Sequence, residues 1–474
     1  MQGLSLGDDR DRSLARTAAV VRQVWTGFDA ARDVEPELTP EIRAALSAAL
    51  PAVPTPVTTV LDEAAKILDC SLAQSRPRFL AYIGSSGLEV GAIADFLAAS
   101  YDVNMAGDAR AASLLEQQTS RWLAEFIGYP HGHGLFTSGG TVSNITALAA
   151  ARQRACPGVR ESGVSERLAV YCSAEAHHSN TRAIELLGLG RRSLRPIPLD
   201  ASRRMRPDLL EESIRRDEAS GIRPMAVVAT AGTTLTGAVD PLRAIGDVAA
   251  RHGIWMHVDA AYGGPAAGTA IAAPLFDGLA LADSVTVDAH KWLFVPKACS
   301  ILLVKDPASL TAAFAHDEAY MPHEEASPNP VDATLEYSRP LRALKLWIAF
   351  KTHGAQAFRE AITGTIRLAR ETYDRARATP GFQTLDAEPQ LSVVPLAHVP
   401  PGITDIDTHQ RRLCREIDRD GRVFLSPAVI DGRTWLRPCF TNFRTQRSDV
   451  ATLFAVIEEL SDRIGCVPRG RGVN

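Results

Sequence analysis

An apolar run of the sequence contains a lysine that is unusual for such a setting. The stretch "VTVDAHKWLFVPKACS", residues 285–300, places Lys291 between His290 and Trp292. A lysine desolvated against Trp292 and Leu293 is expected to have a lowered pKa and to be able to attack an aldehyde. By itself it could equally be a surface lysine whose aliphatic stem lies along apolar neighbours.

A carboxylate ends another apolar run, in "HVDAAYGGP", residues 257–265. Burying Asp259 is costly unless it meets a cation or several hydrogen-bond donors, and a protonated pyridine nitrogen is one cation that fits. Enough chain separates Asp259 from Lys291 for one helix and the next strand. The two side chains are therefore expected at the ends of neighbouring strands.

The stretch "FTSGGTVSNITALAAAR", residues 136–152, predicts a strand end, a glycine-rich turn and a helix. Gly140 allows close backbone approach, Thr141 supplies a hydroxyl and an N-cap, and the free N–H groups of the helix start attract an anion. It lacks the lysine of a Walker A loop, so a nucleoside triphosphate is not favoured. An ordinary capped helix is the alternative.

Taken together, these groups match the needs of one cofactor. Pyridoxal phosphate requires an anion site for its phosphate, a carboxylate for its pyridinium nitrogen and a lysine for its Schiff base. His177, in "AEAHHSNTRA", follows another apolar run and could stack on a planar ring or act as an acid. A helix-capping or core histidine is the alternative for that residue.

Composition favours a small-molecule partner. The chain has 474 residues, 46% of them hydrophobic, and a net charge of −4, which gives no electrostatic reason to expect nucleic acid or a membrane as partner. The 7 cysteines are scattered without a CxxC pair, which argues against a disulfide framework and a structural zinc, and no metal is expected. Acidic residues near the start argue against a secretory signal, so a cytoplasmic location is expected.

The elements that position these residues are predicted to alternate. Between residues 135 and 305, apolar runs end in small or polar residues and lead into helical patterns, as in "RLAVYCSAEAHHS", "PMAVVATAGTT", "IWMHVDAAYGG", "SVTVDAHKW" and "CSILLVKD". Continuous apolarity indicates strands covered on both faces, hence an α/β fold with a largely parallel, doubly wound sheet. Ligands of such sheets bind beyond the carboxyl ends of the strands. Helical segments precede this part, and long helices, two strand-like runs and a closing helix follow it.

The chain resembles the group II pyridoxal-phosphate-dependent decarboxylases, the family that includes the aromatic-L-amino-acid decarboxylases. The resemblance covers nearly the whole chain, through "RPRFLAYIGSSG", "TSGGTVSNITAL", "AHHSNTRA", "ATAGTTLTGAVD", "HVDAAYGG", "DAHKWLFVPKACS", "SRPLRALKLW" and "LRPCFTNFRT". It implies a fold-type I enzyme and a homodimer with the active site at the subunit interface. It also implies an N-terminal helical segment over 1–88, a large cofactor-binding domain over 89–350 and a small α+β domain over 351–474.

Carried over onto matching positions, the resemblance implies a cofactor site made of Gly140, Thr141, His177, Thr234, Asp259, Ala261, His290 and Lys291. Lys291 would form the Schiff base, Asp259 would pair with the pyridinium nitrogen and His177 would stack on the ring. Lys291 and His177 are the expected catalytic residues. The residues expected to contact the substrate are Tyr82, Ser85, Asp108, Arg110 and His323.

Two segments depart from the family pattern. The aromatic decarboxylases carry a tyrosine in a mobile loop, thought to protonate Cα, but "MPHEEASPNPVDATLE", residues 321–336, has none. His323 could replace it, and loss of the donor would also permit oxidative chemistry that gives an aldehyde. "YDVNMAGDARAAS" offers Ala106, Asp108 and Arg110 where the family supplies aromatic side chains, so a polar or charged substrate is possible.

The leading hypothesis is thus an L-amino-acid decarboxylase, with an aromatic or related substrate, that gives an amine and CO₂. Lys291 and Asp259 would serve decarboxylation-dependent oxidative deamination, a lyase reaction or an aminotransferase equally well, because the reaction depends on which Cα bond is aligned with the π system. A non-catalytic protein that binds pyridoxal phosphate is the alternative from another class.

Overall fold

The computed structural model describes residues 5–30, 38–316 and 329–466. Its strands are β1 His133–Thr137, β2 Leu168–Ser173, β3 Leu194–Ile197, β4 Arg223–Thr230, β5 Trp255–Asp259, β6 Ser284–Val287, β7 Ser300–Val304, β8 Phe382–Thr384, β9 Leu396–His398, β10 Ser426–Ile430 and β11 Arg433–Arg437. Its α-helices are α1 Arg10–Phe28, α2 Pro40–Leu46, α3 Val57–Asp69, α4 Glu89–Tyr101, α5 Ala111–Ile127, α6 Gly140–Ala155, α7 Val159–Ser162, α8 His178–Leu186, α9 Pro207–Ala219, α10 Leu242–His252, α11 Ala289–Trp292, α12 Ala308–Phe314, α13 Ala343–Ala378, α14 Ile406–Asp420 and α15 Arg447–Cys466.

The central sheet has seven strands in the order β1-β7-β6-β5-β4-β2-β3. All neighbouring pairs are parallel except those of β7, which runs antiparallel to both β1 and β6. The five apolar runs predicted as strands are β2, β4, β5, β6 and β7. The prediction of a mostly parallel sheet is therefore confirmed.

Both faces of this sheet are covered, which explains the unbroken apolar runs. Along β4, Val227 and Ala229 belong to one hydrophobic core, and Ala226 and Val228 belong to another. Helices α6 and α8 contribute to the second core, whereas α5, α10 and α13 contribute to the first. Because successive strand residues point to opposite faces, a strand buried on both sides has no polar face to interrupt its sequence.

Adjacent parallel strands place the predicted site residues at one edge. Strands β4, β5 and β6 end at Thr230, Asp259 and Val287, and α11, which contains Lys291, begins two residues after β6. The expectation of a connecting helix between Asp259 and Lys291 is wrong in detail, because three short 3₁₀ helices make the connection. Their residues include glycine and proline, which disfavour a regular α-helix.

The C-terminal part has its own antiparallel sheet, in the order β10-β11-β9-β8. A separate apolar core joins this sheet to α14, α15 and the second half of α13. Helix α13 crosses the predicted boundary at residue 350, and its helical geometry is broken at Gly354. The two boundaries between the three predicted domains stay predictions. Within the described ranges, no helix has the length and apolarity needed to cross a membrane.

Candidate functional site

An open cavity of about 320 Å³ lies at the carboxyl ends of the parallel strands. It brings together all eight residues predicted to contact the cofactor, from the end of β5 and from the segments that follow β1, β2, β4, β5 and β6. These are Gly140, Thr141, His177, Thr234, Asp259, Ala261, His290 and Lys291. Residues more than 100 positions apart in the sequence thus share one wall, as the doubly wound topology requires.

Helix α6 points its N-terminus at this cavity. Gly139, not Thr141, is the N-cap residue, so the predicted capping role of Thr141 is wrong, although Thr141 does line the cavity. A Cβ on Gly140 would lie 3.0 Å from Oδ2 of Asp288 and 3.1 Å from Cβ of Ala261. The helix start can therefore approach Asp288 only because residue 140 has no side chain.

Asp259 is buried and held by neutral donors. Its Oδ2 accepts hydrogen bonds from Nδ2 of Asn144 at 2.8 Å and from Nδ2 of Asn180 at 3.4 Å. Its Oδ1 accepts one from the backbone N–H of Ala261 at 3.2 Å. All three donors are neutral groups, so they satisfy the carboxylate oxygens without offsetting the charge. Asp259 thus presents a negative charge to the cavity that a cationic ring nitrogen could pair with.

Lys291 forms an ion pair with Asp288, and Nζ lies 2.9 Å from Oδ2. Burial by itself would lower the pKa of Lys291, but the attraction of Asp288 outweighs it and raises that pKa above its ordinary value. The expectation of a lowered pKa is therefore wrong for the protein chain alone. Burial likewise favours the neutral acid of Asp288, but Lys291 and His290 hold its pKa below the ordinary value.

His177 takes the helix-capping role considered for it and also faces the cavity, whereas its stacking and acid roles stay predictions. It is the N-cap of α8, where Nδ1 accepts a hydrogen bond from the backbone N–H of Ser179 at 3.2 Å, and it also lines the cavity. Part of the ring is open to solvent at the cavity mouth. The neighbouring protein atoms still desolvate it enough to lower the pKa of His177. The neutral ring consequently carries its proton on Nε2, because Nδ1 is used as an acceptor.

His290 lies beside the same carboxylate as Lys291. Its Nε2 is 3.7 Å from Oδ2 of Asp288, and its Nδ1 is 2.9 Å from the carbonyl oxygen of Cys299. Burial lowers the pKa of His290. The ring therefore lies between the carbonyl of Cys299, the residue that precedes β7, and the Asp288–Lys291 ion pair.

The residues predicted to contact the substrate lie elsewhere in this chain. The hydroxyl of Ser85 donates to the carbonyl of Val295 at 3.0 Å, and Tyr82 is exposed. Asp108 accepts a hydrogen bond from the backbone N–H of Arg110 in an exposed turn. None of these four residues lines the cavity. His323 lies outside the described residues.

Sequence reasoning missed several residues that surround the cavity. Asn144, Tyr262, Asp288 and Lys297 line it. Tyr262 stacks on Trp292 with 4.9 Å between ring centroids, which shows that Trp292 belongs to the core beneath the site. Asp288 belongs to the quoted "DAHKW" motif, so its closeness to Lys291 could have been inferred. The direction of the Lys297 side chain has no such local signal.

The cavity fits pyridoxal phosphate on its own structural evidence. Oγ1 of Thr230 and Oδ1 of Asp288 are buried polar atoms that have no hydrogen-bond partner among the described residues. Native structures rarely leave such atoms unpaired, so a polar ligand is expected to reach them. A helix N-terminus, an uncompensated carboxylate and a lysine line the same space. Within the described ranges, no group of three or more His, Cys, Asp or Glu side chains is arranged to hold a metal ion.

Comparison with characterised proteins gives relatives that act on different amino acids. The chain is 32% identical over 400 residues to an aromatic-L-amino-acid decarboxylase of Bacillus atrophaeus, covering 82% of each chain. It is also 32% identical over 427 residues to an L-2,4-diaminobutyrate decarboxylase of Acinetobacter baumannii, covering 84% of this chain and 83% of the relative. The relatives thus share a reaction but differ in substrate.

Solved structures support the fold. The crystal structure of mouse CSAD superposes with a TM-score of 0.89 at 26% identity, covering 95% of this chain and 98% of the mouse chain. The predicted fold-type I architecture is confirmed. Residues 40–397 match the family described as the pyridoxal-dependent decarboxylase conserved domain. The chain therefore belongs to the pyridoxal-dependent decarboxylases, enzymes that use pyridoxal phosphate to remove a carboxylate from an amino acid.

Proposed function

We propose that this enzyme removes the α-carboxylate of an L-amino acid and releases the amine, with Lys291 as the residue that bonds the cofactor. The observation that carries the proposal is that Asp259 and Lys291 line the same cavity. Asp259 comes from the end of β5 and Lys291 from the helix after β6, its neighbour in the sheet. Bound pyridoxal phosphate supplies an electron sink for the breaking Cα–carboxylate bond.

The surrounding side chains assign the remaining tasks. Asp259, positioned by its three donors, would pair with a proton on the ring nitrogen and so strengthen the sink. Asp288 would stabilise the ammonium of Lys291 whenever Lys291 is not bonded to the cofactor. His177, with its proton on Nε2, is the group we assign to donate a proton at the cavity mouth. The anion site is assigned to Gly140 and Thr141 at the start of α6.

A homodimer is part of the proposal. Helices α3 and α4 expose large apolar side chains, namely Val60, Leu68, Ile93, Phe96, Leu97 and Tyr101. Several exposed large apolar side chains on two helices of a folded chain favour a protein partner. Measuring the molar mass by light scattering at several concentrations tests this part. A monomer at every concentration would contradict it.

The reaction itself is tested by replacing Lys291. The purified enzyme with added pyridoxal phosphate is offered the twenty protein amino acids, and CO₂, amine, aldehyde and peroxide are measured together. Lys291→Ala is expected to abolish both CO₂ release and the visible absorbance of the bound cofactor. Lys305→Ala, which removes an exposed lysine just beyond the far end of β7, is the control. CO₂ release that survives Lys291→Ala would refute the proposal.

The product pattern also distinguishes the second candidate reaction. Residues 321–336 contain no tyrosine, and this absence motivates the oxidative alternative. Aldehyde and peroxide formed in equal amounts with CO₂ would replace the amine as the proposed product. The cytoplasmic location stays a prediction from the sequence.

A further inference from the structure

A second lysine lines the cavity that contains Lys291. Lys297 lies on the segment between α11 and β7, and its Nζ donates to Oε1 of Gln74 at 2.8 Å. The same oxygen also accepts a hydrogen bond from the backbone N–H of Ser85 at 3.3 Å. The neutral carboxamide of Gln74 thus fixes the position of the Lys297 ammonium, and the backbone of Ser85 fixes the carboxamide.

The charges around the cavity leave Lys297 without an opposite charge. Asp288 is paired with Lys291, and the proposed cofactor role takes up Asp259. Within residues 5–30, 38–316 and 329–466, no carboxylate forms an ion pair with Lys297. Burial and the repulsion of Lys291 lower the pKa of Lys297, and the attraction of Asp288 offsets only part of that effect. Because Lys297 has a neutral hydrogen-bond partner and Asp288 is paired with Lys291, an anionic group is a better partner for the Lys297 ammonium than a further cation is.

Different substrate side chains would meet this lysine differently. An aromatic ring placed against the ammonium would offer only a cation–π contact, which neither neutralises the charge nor accepts a hydrogen bond in the ordinary sense. An amino group would add like-charge repulsion. A carboxylate or sulfinate would form a charge-assisted hydrogen bond, which is roughly twice as strong as one between neutral groups. The alternative is that Lys297 is an exposed lysine with no effect on substrate selection.

We propose that Lys297, held by Gln74, selects amino acids that carry an acidic side chain. This inference rests on the proposed decarboxylase function, and it names the substrate class of that site. The α-carboxylate is lost at the cofactor, and the second acid group of the substrate pairs with Lys297 at the cavity wall. Lys297 is then a specificity-determining residue, and Lys291 and Asp259 are indifferent to the side chain.

The test compares substrates and variants of the holoenzyme. CO₂ release is measured for L-aspartate, L-glutamate, L-glutamine, L-tryptophan and L-2,4-diaminobutyrate. The wild type is expected to favour one of the two acids. Lys297→Met should lower kcat/KM for that acid by about 10- to 100-fold and change the value for glutamine by less than about threefold, because only the acid loses a charged partner. Lys297→Arg should retain the preference, and Lys305→Met is the surface control.

Binding without chemistry gives a second readout. Glutarate has the two carboxylates but no amine, so its competitive inhibition constant reports the pairing directly. The constant is expected to rise by about tenfold or more in Lys297→Met and in Lys297→Glu. Gln74→Leu should give a smaller rise, because the ammonium keeps its charge but loses its fixed position.

The outcomes separate this inference from the function on which it rests. CO₂ release that favours tryptophan or diaminobutyrate over both acids in the wild type would overturn the role of Lys297 and leave the decarboxylase intact. Equal losses for glutamate and glutamine in Lys297→Met would overturn it as well. Absence of CO₂ from every amino acid, with the cofactor bound, would refute the proposed function itself.

Discussion

The carboxamide of Asn144 donates a hydrogen bond to Oδ2 of Asp259 over 2.8 Å, and both side chains are buried. Because an ionised carboxylate only accepts, the amide nitrogen must face Asp259 and the amide oxygen must face away. Nε2 of His257 lies 3.0 Å from that oxygen and so carries a proton. Its Nδ1 then accepts from the hydroxyl of Ser284 at 2.8 Å. One carboxylate thus determines the hydrogen-bond direction of its neighbours.

Removing the Asn144 donor should weaken cofactor binding. Asn144→Leu deletes the shorter of the two amide hydrogen bonds to Oδ2 of Asp259, so the carboxylate loses a donor that fixes its position and its pairing with the ring nitrogen weakens. The dissociation constant of pyridoxal phosphate is expected to rise by about 10-fold or more, the equivalent of one hydrogen bond to a charged group. Titration followed by visible absorbance measures it.

Asn180→Leu is the matched comparison, because its donor lies at 3.4 Å from the same oxygen. A smaller rise is expected for this variant. An equal or larger effect of Asn180→Leu would contradict the assignment of Asn144 as the main donor.

His257 should make the stability of the fold sensitive to mild acid. Burial lowers its pKa from the ordinary 6.5 to about 4. The unfolded chain therefore takes up a proton at a higher pH than the native protein does. The contribution of His257 is fully present above pH 6.5 and is lost as the pH falls from there toward 4.

The test is His257→Gln, which keeps a donor toward Asn144 but does not titrate. The free energy of unfolding, measured with denaturant at pH 7 and pH 5, should fall less in this variant than in the wild type. His353→Gln, at an exposed position of α13, should behave as the wild type does. Identical pH dependence in all three proteins would show that His257 is not the group responsible.

Asp288 should control the charge of Lys291. With Asp288→Asn, burial acts on Lys291 without the opposing carboxylate, so the lysine pKa should fall. The rate at which the cofactor-free protein captures pyridoxal phosphate depends on the neutral amine, and the midpoint of its pH profile should move down by about one to three pH units. Asp306→Asn, a surface position whose carboxylate accepts a hydrogen bond from the backbone of Ala308, should leave the midpoint in place. A midpoint that rises in Asp288→Asn would contradict the role of Asp288 in raising the pKa of Lys291.

Gly140 should tolerate no side chain. Its added Cβ would meet Asp288 and Ala261 at about the closest distances that real contacts allow, and overpacking of this kind costs about 1–3 kcal/mol. We expect Gly140→Ala to weaken cofactor binding and lower the melting temperature. Gly364→Ala is the control, because nothing lies within 4 Å of a Cβ at that helical position. It should be neutral or stabilising by up to about 1 kcal/mol.

Much of the fold could be predicted because its signals are local. An unbroken apolar strand such as β5 reports burial on both faces without any knowledge of its neighbours. The order of such strands and helices then places Asp259 and Lys291 at one edge of the sheet. The details of the turns were less predictable. Gly139, not Thr141, is the N-cap. Both residue types suit a helix start, and only the backbone dihedral angles show which one precedes the first helical residue.

The sequence by itself determined the fold class, the cofactor and the set of eight residues that share the cavity, since each belongs to a short motif. Only the tertiary structure decided the electrostatics. The pKa of Lys291 is raised rather than lowered because its side chain turns toward Asp288. Lys297 meets Gln74, which is 223 positions away in the chain. The direction of the Lys297 side chain depends on such a distant neighbour, which no local pattern encodes.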